Sequence, residues 1–210
     1  MRPLTERWPK PVLPVDGLPV IVTLLHELRA AGIERVVVVT GYRAELVESL
    51  LDGFPLDLDF VRQPSPDGSA DAVRRGLESL PALAVGADTV FSAGDIGRFA
   101  RTPGYAIAAR RDPPPDPPHR HAMRIVNGRV ERVIDLGSGS SLAGAPLWRL
   151  AEGFDPAVFD RLAGPPYELA EVFQLLIDAG EIVCGVEIGP TRDLTRPEDL
   201  VVQNFPYLSA

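Results

Sequence analysis

Apolar residues in the first half of the chain alternate between helical and strand spacing. Three segments keep the three-to-four-residue spacing of an amphipathic helix: 21–28, 46–51 and 72–80. Between them lie a β-branched run over 35–40 and an alternation of apolar and acidic residues over 56–61, and a third strand is predicted over 89–93. Continuous apolar strands are typical of parallel sheets covered by helices. The alternation therefore predicts βαβ units in an α/β fold.

The second half has shorter and more irregular elements. Five prolines among residues 112–118 indicate a loop. Asn127-Gly128 separates two apolar runs, which predicts a hairpin because a type I′ turn requires positive φ at both central residues. Further elements are predicted as follows: a strand over 105–110, a flexible connection over 137–141, a helix around 169–176, a strand over 182–188, and a last helix opened by a capping box at Thr195-Arg196-Pro197-Glu198.

Composition limits the class of protein. The chain has 210 residues, 45% of them apolar, and a formal net charge of −8. This balance argues against a nucleic-acid groove, which needs clustered basic residues, but leaves a nucleotide site open. The single cysteine, Cys184, excludes an internal disulfide and has the apolar neighbours of a buried strand position. The chain has no signal-peptide pattern and no run of about 18 apolar residues, so we expect a cytoplasmic protein without a membrane partner.

Several common site motifs are absent. The sequence contains no G-x-G-x-x-G, no Walker A pattern and no Ser or Cys nucleophile motif. The three histidines, His26, His119 and His121, lack the spacing of a structural zinc site and are interpreted as structural or solvated.

Short segments in a fixed order carry the clearest signal. They are Arg2-Pro3-Leu4-Thr5, Pro9-Lys10-Pro11-Val12-Leu13-Pro14-Val15, Gly17-Leu18-Pro19, the strand with Val39-Thr40-Gly41-Tyr42, Gln63-Pro64-Ser65-Pro66-Asp67-Gly68-Ser69-Ala70-Asp71-Ala72, Gly94-Asp95, and Val186-Glu187-Ile188 followed by Asp193 and Pro197-Glu198-Asp199-Leu200. This order resembles the sugar-phosphate nucleotidylyltransferases, among them the glucose-1-phosphate thymidylyltransferase and mannose-1-phosphate guanylyltransferase types, over nearly the whole chain.

The resemblance implies a Rossmann-like, mostly parallel sheet flanked by helices in one domain over 1–210. Residues 1–100 would form the nucleotide-binding half and 101–210 the sugar-phosphate-binding half. Such proteins begin with a strand and a G-x-G-T-R phosphate loop, and Met1 stands where the residue after that arginine would be. We therefore expect the true start to lie upstream, and the chain as written to be insoluble or loosely packed and inactive, since the valine run over 36–39 would lack a neighbour.

The resemblance also implies the site on the nucleotide side. Lys10 would neutralise a phosphate, while Asp95 and Asp193 would hold Mg²⁺ between them, since this ion prefers carboxylate oxygens. Gln63 would offer a donor and an acceptor to the base, and Gly68 would let the backbone approach it. The implied substrates are a nucleoside triphosphate and a sugar 1-phosphate, with a thymine or uracil base.

The sugar side departs from the resemblance. The E-K-P step is replaced by Ile134-Asp135-Leu136-Gly137, so the lysine is absent and Asp135 stands in for the glutamate. Gly144 keeps the family's N-A-G step as Leu142-Ala143-Gly144, and 94–105 is expected to be too short for the usual helix after the aspartate. A non-catalytic regulatory or partner-binding relative is therefore the alternative hypothesis. The sugar, the base and any homo-oligomeric state stay open.

Overall fold

The computed structural model describes residues 2–111, 122–135, 141–194 and 196–205. The predicted loop over 112–118, His119, His121 and nearly all of the predicted flexible connection lie outside these ranges. None of the helices in the described ranges is both long enough and apolar enough to cross a bilayer.

The first half alternates between strands and helices, as its apolar spacing predicts. The elements are β1 (Pro14–Val15), β2 (Leu18–Pro19), α1 (Val20–Ala30), β3 (Arg35–Thr40), α2 (Ala44–Leu50), β4 (Asp57–Arg62), α3 (Ser69–Gly76), β5 (Ala82–Val85), β6 (Thr89–Val90) and α4 (Asp95–Ala100), with 3₁₀ turns at Leu4–Glu6 and Lys10–Val12. Helix α4 corrects the expectation that 94–105 is too short for a helix. Six residues suffice because Gly94 takes the left-handed conformation, φ 80°, and turns the chain directly into the helix.

The second half contains the longest strands. Its elements are β7 (Tyr105–Arg111), β8 (Arg124–Val126), β9 (Arg129–Arg132), β10 (Leu142–Leu150), α5 (Leu169–Asp178), β11 (Val183–Glu187), β12 (Arg192–Asp193) and α6 (Pro197–Asn204), with a 3₁₀ turn at Pro156–Arg161. The hairpin prediction is confirmed, since Asn127 and Gly128 have φ of 50° and 77°. At α6 the N-cap is Arg196, one residue later than predicted, and its N–H donates to the Asp199 carboxylate at 2.6 Å.

The larger sheet is mixed. Its six strands lie in the order β5-β10-β7-β11-β9-β8, and only β7 and β11 run parallel, which corrects the expectation of a mostly parallel sheet. Strands β3 and β4 form a separate parallel pair, so the predicted α/β class is confirmed. The strand predicted over 89–93 is shorter and antiparallel: β6 pairs with β12, because the chain returns alongside it after Gly189. Strand β5 was not predicted, since four apolar residues carry no period that separates strand from helix.

Helices cover both faces of the larger sheet. On one face, α1 and α4 pack against small residues such as Ala106 and Ala108 of β7. On the other face, α5 packs Val172 and Phe173 against Tyr105 and Ile107. The valine run of β3 is only partly buried, and among the described residues this strand pairs with β4 alone. Cys184, in β11, is half-buried on the face of the sheet that α1 covers, and its thiol is free.

Candidate functional site

Gln63 follows the carboxyl end of β4 and is held there by its neighbours. Its backbone N–H donates to the Thr40 carbonyl at the end of β3, at 2.7 Å. Its side-chain nitrogen donates to the Gly68 carbonyl at 3.0 Å and to Asp71 Oδ2 at 2.9 Å. The segment predicted to recognise the base is therefore a closed loop tied to two parallel strand ends, where ligands bind in open α/β sheets.

Gly68 has a structural role that the sequence did not indicate. Its φ of +104° and ψ of 173° are accessible essentially to glycine alone. A Cβ there would lie 2.2 Å from the Tyr167 carbonyl oxygen. Tyr167 in turn donates to the Asp67 carbonyl at 2.6 Å and accepts from the Ala70 N–H at 2.8 Å. The close backbone approach that Gly68 permits in this structure is thus to Tyr167, whereas the approach to a base stays a prediction.

Ser69 joins the same loop to the start of α5. Its hydroxyl donates to Glu168 Oε2 at 2.6 Å and accepts from the Leu169 N–H at 2.8 Å. The base-side loop is therefore fixed against the second half of the chain. Tyr167 and Glu168 carry no motif of their own, so only the folded structure reveals this link.

Asp95 opens α4 and is almost fully buried, at 4% exposure. Its Oδ1 accepts from the Arg98 guanidinium at 2.8 Å, and its Oδ2 accepts from the Gly189 N–H at 2.7 Å. Both oxygens of this predicted metal ligand therefore have protein donors, one of them a cation.

Asp193 lies in β12, opposite Thr89 of β6. Its Oδ1 accepts from the Thr89 hydroxyl at 2.8 Å, and its Oδ2 accepts from the Arg110 guanidinium and from Thr191. The Arg110 side chain is only 13% exposed. Sequence reasoning missed Arg110, although an arginine at the carboxyl end of an apolar strand is a signal in itself, because a buried guanidinium requires a partner.

The two aspartates lie near the paired strands β6 and β12. Asp193, in β12, is opposite Thr89 at the start of β6, and Asp95 follows the end of β6 along the chain. Their carboxylates are hard oxygen donors of the kind that Mg²⁺ takes, so they fit the ion in chemistry. In this arrangement each is neutralised by an arginine, and within the described ranges no group of three or more acidic, histidine or cysteine side chains could hold a metal. An ion bound there would take over the place of a guanidinium group.

Lys10 begins the 3₁₀ turn Lys10–Val12 in its proline-flanked segment. Its Nζ lies 3.3 Å from Oδ2 of Asp88. Asp88 immediately precedes Thr89, the residue bonded to Asp193. Lys10 is also the only lysine of the 210 residues. The structure thus brings the predicted phosphate-binding cation and Asp193 to the same end of β6.

The two residues predicted on the sugar side lie at the start of β10, Gly144 within the strand and Asp135 beside it. The Asp135 N–H donates to the Ala122 carbonyl at 2.7 Å, and Ala122 bridges Ala143. Gly144 is paired with Ala109, next to Arg110 in β7. Gly144 therefore lies at the carboxyl end of β7, where Arg110 contacts Asp193, whereas Asp135 is joined to this edge through Ala122 and Ala143.

Residues 4–138 match the model of the MobA-like NTP transferase domain. This match covers more than half of the chain, and the chain belongs to that family. Homologues in this family are sugar-phosphate nucleotidylyltransferases, in agreement with the resemblance found in the sequence.

Individual relatives point to several bases and sugars. The chain is 29% identical, over 95% of its length, to a UTP–glucose-1-phosphate uridylyltransferase of Haloferax volcanii, of which it spans 88%. It is 40% identical, over 96% of its length, to a mannose-1-phosphate guanylyltransferase of Mycobacterium tuberculosis, of which it spans 59%. The inositol-1-phosphate CTP transferase structure from T. maritima superposes with a TM-score of 0.80 over 95% of this chain and 85% of its own; at 18% identity this shows the shared fold alone.

Proposed function

We propose that the chain transfers a nucleoside monophosphate from a nucleoside triphosphate to a sugar 1-phosphate, giving a nucleoside diphosphate sugar and pyrophosphate. In this reaction a phosphate oxygen of the sugar phosphate forms a bond to the α-phosphorus. The bond between that phosphorus and the bridging oxygen breaks, and pyrophosphate leaves with the electron pair. Such a step needs no covalent protein intermediate, so it depends on positioning and charge neutralisation.

The observation that carries the proposal is the ion pair between Arg110 and Asp193. It lies between the end of β7 that pairs with Gly144 and the end of β6 that Lys10 approaches. The pair thus links the strand β7, which is paired with Gly144, to the segment that carries Asp88 and Thr89, the partners of Lys10 and Asp193. Gln63 supports the base side of the same proposal, at the carboxyl end of β4.

Each residue has a defined task in this proposal. Lys10, a compact point charge, neutralises a non-bridging phosphate oxygen once Asp88 releases it. Asp95 and Asp193 are the residues that would hold Mg²⁺, which neutralises phosphate charge when bound. Gln63 and Gly68 contact the base, and Asp135 and Gly144 contact the sugar phosphate. We propose a thymine or uracil base on the resemblance of the Gln63 segment.

A second candidate is a relative that binds nucleotide without turnover. The observation that favours it is the pairing of Asp95 with Arg98, because both oxygens of this carboxylate already accept hydrogen bonds. In such a protein the arginines would replace the metal permanently.

Pyrophosphate release tests both candidates. The full chain is incubated with each common nucleoside triphosphate, a panel of hexose 1-phosphates, and either Mg²⁺ or a chelator. Release that needs both substrates and Mg²⁺ supports transfer. Saturable nucleotide binding without release, under all combinations, supports the non-catalytic candidate and rejects the enzyme.

A further inference from the structure

The carboxamide of Gln63 has both of its N–H donors engaged inside the protein. They point to the carbonyl of Gly68 and to Oδ2 of Asp71, at 3.0 and 2.9 Å. A carboxamide nitrogen has two N–H groups, so its donor capacity is exhausted. Among the described residues, the side chain of Gln63 makes hydrogen bonds to these two acceptors alone, Asp71 Oδ2 and the Gly68 carbonyl oxygen. The part of this side chain left for a ligand is therefore its oxygen, an acceptor, which corrects the expectation from the sequence of a donor and an acceptor.

Asp71 keeps the amide from turning over. A rotated carboxamide would bring its oxygen against two acceptors, the Gly68 carbonyl and the Asp71 carboxylate. The Asp71 oxygen is itself fixed, since Arg75 Nε donates to the same Oδ2 at 2.6 Å. This bond from Arg75, assisted by the Gln63 amide, holds the pKa of Asp71 below its ordinary value, so the carboxyl group is ionised and accepts only.

The backbone around this network is fixed as well. Gly68 lies against Tyr167, and Ser69 binds the start of α5, so the loop cannot follow a turning amide. The Asp71 side chain is 15% exposed, which limits competition from water. The network is therefore a rigid support for one orientation of Gln63.

We propose that Asp71 is a positioning residue that determines base selectivity, by fixing Gln63 so that the site offers the base an acceptor only. This proposal rests on the proposed function, in which Gln63 meets the base. When the Gln63 oxygen faces the Watson–Crick ring nitrogen, as we propose, it selects a base in which that nitrogen carries hydrogen, namely uracil or thymine (N3–H) or guanine (N1–H). Cytosine and adenine have a lone pair at that nitrogen, and two facing acceptors repel each other.

The test begins with the unaltered chain. Dissociation constants are measured by calorimetry for UTP, dTTP, GTP, CTP and ATP, and then for the preferred nucleotide methylated at the ring nitrogen, N3-methyl-UTP or N1-methyl-GTP. We expect a nucleotide with a ring N–H to bind best, and methylation to weaken binding at least about tenfold, because a buried acceptor loses its donor. Preference for CTP or ATP, or equal binding of the methylated nucleotide, would overturn the proposal without any variant.

Variants then assign the effect to Asp71. In Asp71→Ala one Gln63 N–H loses its acceptor, so the amide can rotate. The dissociation constant of the methylated nucleotide, divided by that of the unmethylated one, should therefore fall by about tenfold. Asp71→Asn keeps an acceptor oxygen at the same place and should retain most of the ratio. Asp160→Ala is the matched control. Asp160 is the acidic partner of Arg74, which lies in the same helix as Asp71, and its removal leaves the contacts of Gln63 unchanged.

The outcomes separate this proposal from the proposed function. If Asp71→Ala weakens all nucleotides equally, the residue is structural and the proposal is wrong, while transfer can still stand. If nucleotide binds selectively and the ratio changes as expected without pyrophosphate release, the proposal holds and the transfer reaction fails. If the unaltered chain binds no triphosphate at all, both are wrong.

Discussion

Arg110 and Asp193, 83 positions apart in the sequence, form an ion pair that ties the carboxyl end of β7 to β12. The guanidinium is largely buried, and the carboxylate also accepts from Thr89 and Thr191. Because β12 pairs with β6, this contact joins the half that carries Gly144 to the half that carries Lys10.

Arg110→Ala should destabilise the chain by about 1.5–3 kcal/mol, because Asp193 would lose a charged hydrogen-bond donor in a partly buried place. Urea unfolding, followed by circular dichroism, gives the free energy of unfolding. Arg111→Ala is the control: its neighbouring pair with Glu187 is more than half exposed, and such surface pairs contribute about 0–1 kcal/mol. Equal losses in the two variants would show that Arg110 does not hold Asp193.

Asp95→Asn and Asp193→Asn should each lower pyrophosphate release by about a hundredfold or more, since a metal ligand charge is lost where phosphates meet. The half-saturating Mg²⁺ concentration should rise in both, which a loss of nucleotide binding alone would not produce. Asp160→Asn, at an exposed carboxylate in the 3₁₀ turn Pro156–Arg161, should change neither quantity. Full activity of both variants at unchanged Mg²⁺ dependence would remove the metal assignment.

Gly68→Ala should cost more stability than the same change at a glycine with open space around it. Gly53 also has positive φ, +71°, but a Cβ there meets nothing within 4 Å. The strain of positive φ alone costs about 1–2 kcal/mol, and the contact with the Tyr167 carbonyl at Gly68 adds to it. The difference in unfolding free energy between the two variants measures the contact together with the greater backbone strain at Gly68, and a difference of zero would contradict both.

The buried phenol of Tyr105 predicts that the free energy of unfolding falls at alkaline pH. Burial raises the pKa of its phenol above 10.0, and the carboxylates of Glu181 and Asp155 add to the rise. The neutral phenol therefore contributes stability in full below pH 10, and this contribution is lost as pH rises through the raised pKa. Tyr105→Phe should flatten the fall in unfolding free energy above pH 10, with Tyr42→Phe at an exposed position as control. An unchanged slope in Tyr105→Phe would contradict this.

Local signals predicted much of the fold. Asn127-Gly128 determines its own turn because both residues take positive φ, and the helix over 20–30 follows from its apolar spacing. The antiparallel pairing of β6 with β12 could not be predicted, since it depends on where a segment about 100 residues later returns. The strand and phosphate loop expected upstream of residue 1 stay a prediction, as do the inactivity of the chain as written and its cytoplasmic location. The activity measurements therefore use the protein together with any residues that precede residue 1.

The candidate site was predicted residue by residue, but its supports were not. Lys10, Asp95, Asp193 and Gln63 were singled out through short motifs. Arg110 and Arg98, which hold Asp193 and Asp95, belong to no motif. Asp71, which holds Gln63, lies in the same motif as Gln63, but its contact with that side chain is made only on folding. Sequence patterns therefore indicated which side chains to examine, and the structure indicated what fixes them.

The most direct measurement of the central claim follows the α-phosphorus. The full chain is incubated with Mg²⁺, a sugar 1-phosphate and a nucleoside triphosphate that carries a radioactive label on that phosphorus, and the products are separated by chromatography. We predict that the label appears in a nucleoside diphosphate sugar, together with one unlabelled pyrophosphate per sugar nucleotide, and that Lys10→Ala slows its appearance. No labelled sugar nucleotide with any of the common triphosphates and hexose 1-phosphates, from a folded chain that binds nucleotide, would contradict the proposed transfer.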